Sequence, residues 1–106
     1  MAKSWPVQVH LVGSPSGPIL YVEGDVDVAT ADLVEEKLRL HLEGEGGSVT
    51  IDLSEVRWAD STCVRILLRA REALARHSRR LLVRGAPPRV VRTFRVLGLA
   101  HLLQAA

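Results

Sequence analysis

The sequence is short of cysteine, aromatic rings and lysine, and each shortage removes a class of function. Cys63 is the only thiol in 106 residues, so no internal disulfide can form. His10, His41, His77 and His101 are dispersed, and none stands at metal-ligand spacing from Cys63 or another histidine. Trp5, Tyr21, Trp58 and Phe94 are the only rings, too scattered to stack on nucleic-acid bases. Lys3 and Lys37 are the only lysines, and neither follows a late strand, where a phospho-aspartate receiver would need one. Walker, G-x-G-x-x-G and G-x-S-x-G signatures are absent. No apolar run approaches the roughly 18 residues of a membrane span. The opening "MAKSWPVQVH" lacks a signal-peptide core. These absences predict a soluble, cytoplasmic protein.

Apolar residues make up 47% of the chain, enough for it to fold rather than stay disordered. The length predicts one domain spanning 1–106. Charge is divided along it. Residues 1–60 carry eleven acids against Lys3, Lys37, Arg39 and Arg57, whereas residues 61–106 carry ten arginines against Glu72 alone. Such asymmetry can mark a nucleic-acid binder, with Arg65, Arg69, Arg76, Arg79 and Arg80 as the contact set. The plainer reading is two solvated faces that attract each other in the fold. It predicts no direct contact with nucleic acid.

Periodicity sets the elements. "VQVHLV" (7–12) alternates as a half-buried strand does. Turn formers fill 13–18, and "ILYVEG" (19–24) returns as the second arm of a hairpin. "DVDVATADLVEEKLRLHL" (25–42) turns helical, with Leu33, Val34, Leu38 and Leu42 on one side and Asp27 or Thr30 as cap. "GEGG" (44–47) stops it, and "VTIDLS" (49–54) reads as a central strand. A helix over 61–77 buries Cys63, Ile66, Leu67, Ala70 and Leu74 and exposes Arg65, Arg69, Glu72 and Arg76. "RLLVRG" (80–85) is a strand, and "PPRVVRTFRVLG" (87–98) is a helix with Pro88 in its first turn and Gly98 at its end. "LAHLL" (99–103) closes as a short strand or coil. The order β-β-α-β-α-β-α predicts an α/β domain whose mostly parallel mixed sheet is opened by a β-hairpin.

Two features carry candidate chemistry. Asp25, Asp27, Asp52 and Asp60 follow or end strand-like runs and could gather at one sheet edge, where acids can hold Mg²⁺. Each is equally explained as a cap or turn residue. The second feature is "WADSTCV" (58–64), where a strand gives way to a helix. Either Asp60 or Ser61 could cap that helix, a contribution of about 1 kcal/mol. Ser61 could also receive a phosphate, because free amides at a helix start favour an anion. Thr62 is a secondary acceptor.

"VTIDLSEVRWADSTCVRILLRA" (49–70) resembles the signature stretch of the STAS domain family: a buried strand, an aspartate, a serine, a serine or threonine, a glycine and an apolar residue. "EGDVDVATADLVEEKL" (23–38) resembles the family's earlier landmark, a Gly-acid-apolar-Asp turn leading into a helix. The likeness covers nearly the whole chain. It implies a single STAS domain with helices mainly on one sheet face, similar to the anti-sigma factor antagonists. In that type the serine after the aspartate is phosphorylated by the anti-sigma factor, a serine kinase. Phosphorylation breaks the complex, and a serine phosphatase resets it. Carried over, Ser61 is the phosphoacceptor, and Asp27, Thr30, Asp60, Ser61, Thr62, Cys63 and Arg65 form the partner surface. The resemblance implies no cofactor of its own and no enzymatic activity, since ATP and Mg²⁺ belong to the partner. It implies a monomer or weak dimer acting in bacterial transcription and stress control. The alternative within the family is a docking adaptor that is never phosphorylated, in a stress-complex scaffold or a lipid-transporting ABC system. One departure stands out: Cys63 occupies the usual glycine position.

Overall fold

A computed structural model describes residues 7–15, 17–42 and 47–103. The elements are β1 (Gln8–Val12), β2 (Ile19–Val26), α1 (Ala31–Leu42), β3 (Val49–Ala59), α2 (Ser61–Ala75), β4 (Leu81–Arg84) and α3 (Pro88–Val96), with a 3₁₀ turn at Ala100–Leu102. They build one four-stranded sheet in the order β1-β2-β3-β4. The β1–β2 pairing is antiparallel, and β2–β3 and β3–β4 are parallel. This is the mixed α/β sheet that the alternation of elements implies. Of the hairpin turn, Ser16 lies outside the described residues; so does 44–46 of the helix-stopping run.

β2 shows why these residues form a half-buried strand. Leu20, Val22, Gly24 and Val26 are buried, while the residues between them are at least partly open. On the same sheet face, Val49, Ile51, Leu53 and Val83 meet the helices' inner stripes in one core. α1 contributes Val34, Leu38 and Leu42, and α2 contributes Cys63, Ile66, Leu67, Ala70 and Leu74. Leu33 departs from the expected α1 stripe and is 43% exposed. α3 adds Val90 and Phe94, both fully buried. Cutting Phe94 to alanine would cost about 3–5 kcal/mol, transfer and cavity terms together.

Three boundaries differ from the sequence pattern. β2 runs on to Val26, so residues 25 and 26 are strand rather than helix, and α1 starts at Ala31. β3 runs on to Ala59, five residues past the expected end. Its register against β2 slips twice, between Tyr21 and Glu23 and between Gly24 and Asp25. Each slip puts an extra residue on β3, which hides its alternation. The tail forms the 3₁₀ turn, and Leu103 then makes an isolated parallel bridge to Val83.

β4 pairs with β3 only from Val49 to Asp52. Beyond that point α3 side chains take the place of a strand. Thr93 Oγ1 donates to Ala59 O at 3.1 Å, and Arg89 Nη1 donates to Arg57 O at 3.4 Å. α3 itself ends in a Schellman motif: Gly98 N donates to Arg95 O and Leu99 N to Phe94 O, with Gly98 at φ +73°.

Two ion pairs bear on the divided charge. Arg69 Nη1 meets Glu35 Oε1 at 2.9 Å, and Arg84 Nε meets Asp52 Oδ2 at 2.9 Å. Each joins an acid of the first sixty residues to an arginine of the basic half. Arg79 is buried, donating to Leu42 O and Gly47 O. The five arginines of the nucleic-acid reading therefore do not form one free basic face. No helix among the described residues is long and apolar enough to cross a membrane.

Candidate functional site

The carboxyl ends of β2 and β3 lie side by side, with Val26 opposite Ala59. The chain leaves β2 into Asp27 and leaves β3 into Asp60, so both acids sit at one edge of the parallel sheet. Asp60 N donates to Val26 O at 3.4 Å, which ties the two exits together.

Asp27 and Thr30 lock the first exit. Asp27 N donates to Thr30 Oγ1 at 3.0 Å, and Thr30 N donates back to Asp27 Oδ1 at 3.1 Å. The Thr30 hydroxyl also donates to Asp25 O at 2.7 Å. Both residues thus hold the turn. The start of α1 is marked by Thr30 O, which accepts from Val34 N.

At the second exit Asp60 has extended backbone, and its Oδ1 accepts from Thr62 N at 2.8 Å while its carbonyl accepts from Cys63 N at 3.0 Å. Asp60 is therefore the N-cap of α2. Ser61 is the first helical residue and is exposed. Its hydroxyl is not needed to cap the helix, which decides between the two capping candidates.

The remaining expected site residues divide by exposure. Arg65, one turn along α2, is exposed. Thr62 is 7% exposed and Cys63 2%. Burial, aided by the negative charge of Asp60, pushes the Cys63 thiol up to about 12. The thiol is turned into the core and stays protonated at neutral pH. A molecule approaching the edge meets Ser61 and Arg65, not the thiol.

Asp52 does not join the edge. It sits mid-sheet, opposite Tyr21 on one side and Arg84 on the other. Its Oδ1 accepts from the Ser54 amide at 2.8 Å and the Ser54 hydroxyl at 2.6 Å, and its Oδ2 accepts from Arg84. Arg84 also donates to the Tyr21 hydroxyl at 3.2 Å. Of the four aspartates, Asp27 and Asp60 meet at the edge, while Asp52 serves a structural polar cluster. Among the described residues no group of three His, Cys, Asp or Glu could hold a metal ion. Sequence reasoning missed the Asp52–Arg84–Tyr21 cluster. The alternation of Ile51, Asp52 and Leu53 was its one available signal.

Residues 9–104 match the family described as Mlab, STAS domain. The chain belongs to the STAS domain family. This STAS domain is 32% identical over 85 residues to the anti-sigma-B factor antagonist of Listeria monocytogenes, an alignment covering 80% of this chain and 75% of that protein. Its fold resembles an anti-sigma factor antagonist from Mycobacterium paratuberculosis, with a TM-score of 0.82 at 21% identity over 92% of this chain and 83% of that one. It also resembles the anti-sigma factor antagonist SpoIIAA in its unphosphorylated form, with a TM-score of 0.77 at 18% identity, covering 95% and 88% of the two chains. The phosphorylated form of SpoIIAA, from Bacillus, matches with a TM-score of 0.68 at 17% identity over 95% and 91%.

Proposed function

We propose that this STAS domain is an anti-sigma factor antagonist switched by phosphorylation of Ser61. One observation carries the reading: Asp60 caps α2, leaving the adjacent Ser61 hydroxyl exposed and uncommitted at the helix start. The Listeria relative's name supports the antagonist role. The chain acts as a binding partner and substrate, not as a catalyst.

In the unphosphorylated state the edge formed by Asp27, Asp60, Ser61 and Arg65 docks on an anti-sigma factor and releases the sigma factor. The anti-sigma factor, a serine kinase, supplies ATP and Mg²⁺. Ser61 Oγ attacks the γ-phosphorus, its proton passes to a base of the kinase, and ADP leaves. The product carries a charge of roughly −1.5 to −2 near pH 7. The positive end of the α2 dipole tolerates that charge within the fold. A surface that docked on a neutral serine does not tolerate it beside Asp60. A serine phosphatase hydrolyses the ester and restores docking.

A second reading, a docking adaptor that is never phosphorylated, uses the same edge without the switch; Cys63, buried beneath that edge, does not decide between the two.

The test combines mass spectrometry of the protein from its own cells with binding of Ser61 variants to a kinase-type anti-sigma factor. Phosphate on Ser61, constitutive binding by Ser61→Ala and weakened binding by Ser61→Asp are expected. Absence of phosphate across growth and stress conditions selects the adaptor, and equal binding by both variants and wild type overturns the switch.

A further inference from the structure

A second feature of α2 lies away from the docking edge. A recess of about 180 Å³ opens between α2, β4 and the terminal 3₁₀ turn. Leu67, Val83 and Leu102 give it an apolar floor, and Arg71, Arg80 and His101 give it three basic groups. Among the described residues no aspartate or glutamate lines it. Arg71 and Arg80 are exposed and make no ion pair with a described acid, unlike Arg69 and Arg84.

Two arginines and a histidine lining one recess suit a compact dianion, because each guanidinium can donate two parallel hydrogen bonds to phosphoryl oxygens. The leucine and valine floor suits carbon. Size limits the choice. Sites for drug-sized ligands run to roughly 300–1,000 Å³, so this recess takes a phosphoryl group with a few carbons and is too small for a nucleotide.

We propose that the recess binds a small aliphatic phosphate monoester. The phosphoryl group lies on Arg71, Arg80 and His101, and the carbon chain lies on Leu67, Val83 and Leu102. Arg71 is ten residues beyond Ser61 on the same helix, so the two sites are about 15 Å apart along its axis. The proposal therefore does not depend on phosphorylation of Ser61.

The test is a titration of the ¹⁵N-labelled chain, at fixed ionic strength, with n-butyl phosphate and separately with inorganic phosphate. Saturable shifts at the amides of Arg71, Leu82 and His101 are expected, with a dissociation constant below about 1 mM for butyl phosphate. Inorganic phosphate, which gains nothing from the floor, should bind about tenfold more weakly. The Arg71→Gln/Arg80→Gln variant should lose at least about tenfold for butyl phosphate while keeping a dispersed spectrum. Arg80→Lys keeps the charge, loses the fork and should fall between. Ser61→Ala should bind as wild type does. Shifts that spread over all the arginines without saturating would overturn the site. Undiminished binding by the double variant would do the same, and equal affinity for the two phosphates would overturn the assignment to an organic ester.

Discussion

Arg84 Nε lies 2.9 Å from Asp52 Oδ2 across the β3–β4 ladder, on the sheet face opposite Ile51 and Leu53. Burial alone pushes the Asp52 carboxyl up, but hydrogen bonds from Ser54 and Arg84, with the Arg84 charge, outweigh it and hold the group below its ordinary value. A depressed folded value means that the stabilisation is fully present above the unfolded pKa, roughly 3.9. It is lost as pH falls through the folded value. The urea midpoint of the wild type should therefore fall below about pH 4. Asp52→Asn should be less stable at pH 7 and flatter in the acid range. Parallel curves for the two proteins would show that Asp52 is not the linked group.

Asp60 and Ser61 should separate in stability. Asp60→Ala removes the cap on Thr62 N and should cost about 1 kcal/mol, or about 4–8 °C in Tm for a domain near this size. Ser61→Ala changes an exposed residue that caps nothing and should stay within about 0.5 kcal/mol. Thermal unfolding of both variants is the check. The reverse order would return the capping role to Ser61.

The Cys63 thiol should be inert in the folded protein. Burial and a raised thiol pKa both suppress the thiolate, the form that reacts with disulfide reagents. Reaction with an aromatic disulfide should be slow in buffer and fast in urea. Cys63→Gly installs the family's usual residue but should destabilise by about 1 kcal/mol or more, because it empties a buried side-chain site and adds glycine's backbone freedom. If the variant also binds the anti-sigma factor as wild type does, the cysteine is a packing substitution rather than a block to docking.

Much of the fold is legible in the sequence. The α2 stripe from Cys63 to Leu74 repeats at helical spacing without interruption, and the β1–β2 hairpin alternates around a dense run of turn formers. The length of β3 was hidden because its two bulges, between Asp52 and Glu55 and between Val56 and Trp58, break the alternation. The end of β2 was masked by aspartates at 25 and 27, which suit a helix start as well as a strand exit. Proximity across the chain was the least legible. No local pattern says that Asp52 faces Arg84, or that Arg71, Arg80 and His101 border one recess.

A stabilising change is available at Ser78. This residue closes α2 at φ +56°, with Ser78 N and Arg79 N donating to Ala75 O and Leu74 O. Glycine adopts that conformation without steric cost, as Gly98 does after α3. Ser78→Gly should raise stability by about 0.5–1 kcal/mol, read from urea unfolding. A loss of stability would mean that the serine side chain offsets its backbone strain.

The far end of β3 is held on its outer side by the Thr93 and Arg89 side chains rather than by a neighbouring strand. A backbone ladder is the same whatever residues compose it, so sequence drift can hardly adjust it. A side-chain clamp can be rewritten one codon at a time. The orientation of the Ser61 edge is thus open to gradual divergence through α3, a helix that bears none of the residues assigned to docking. Duplicated copies of such a domain could drift toward different partners while their signature stretches stayed alike.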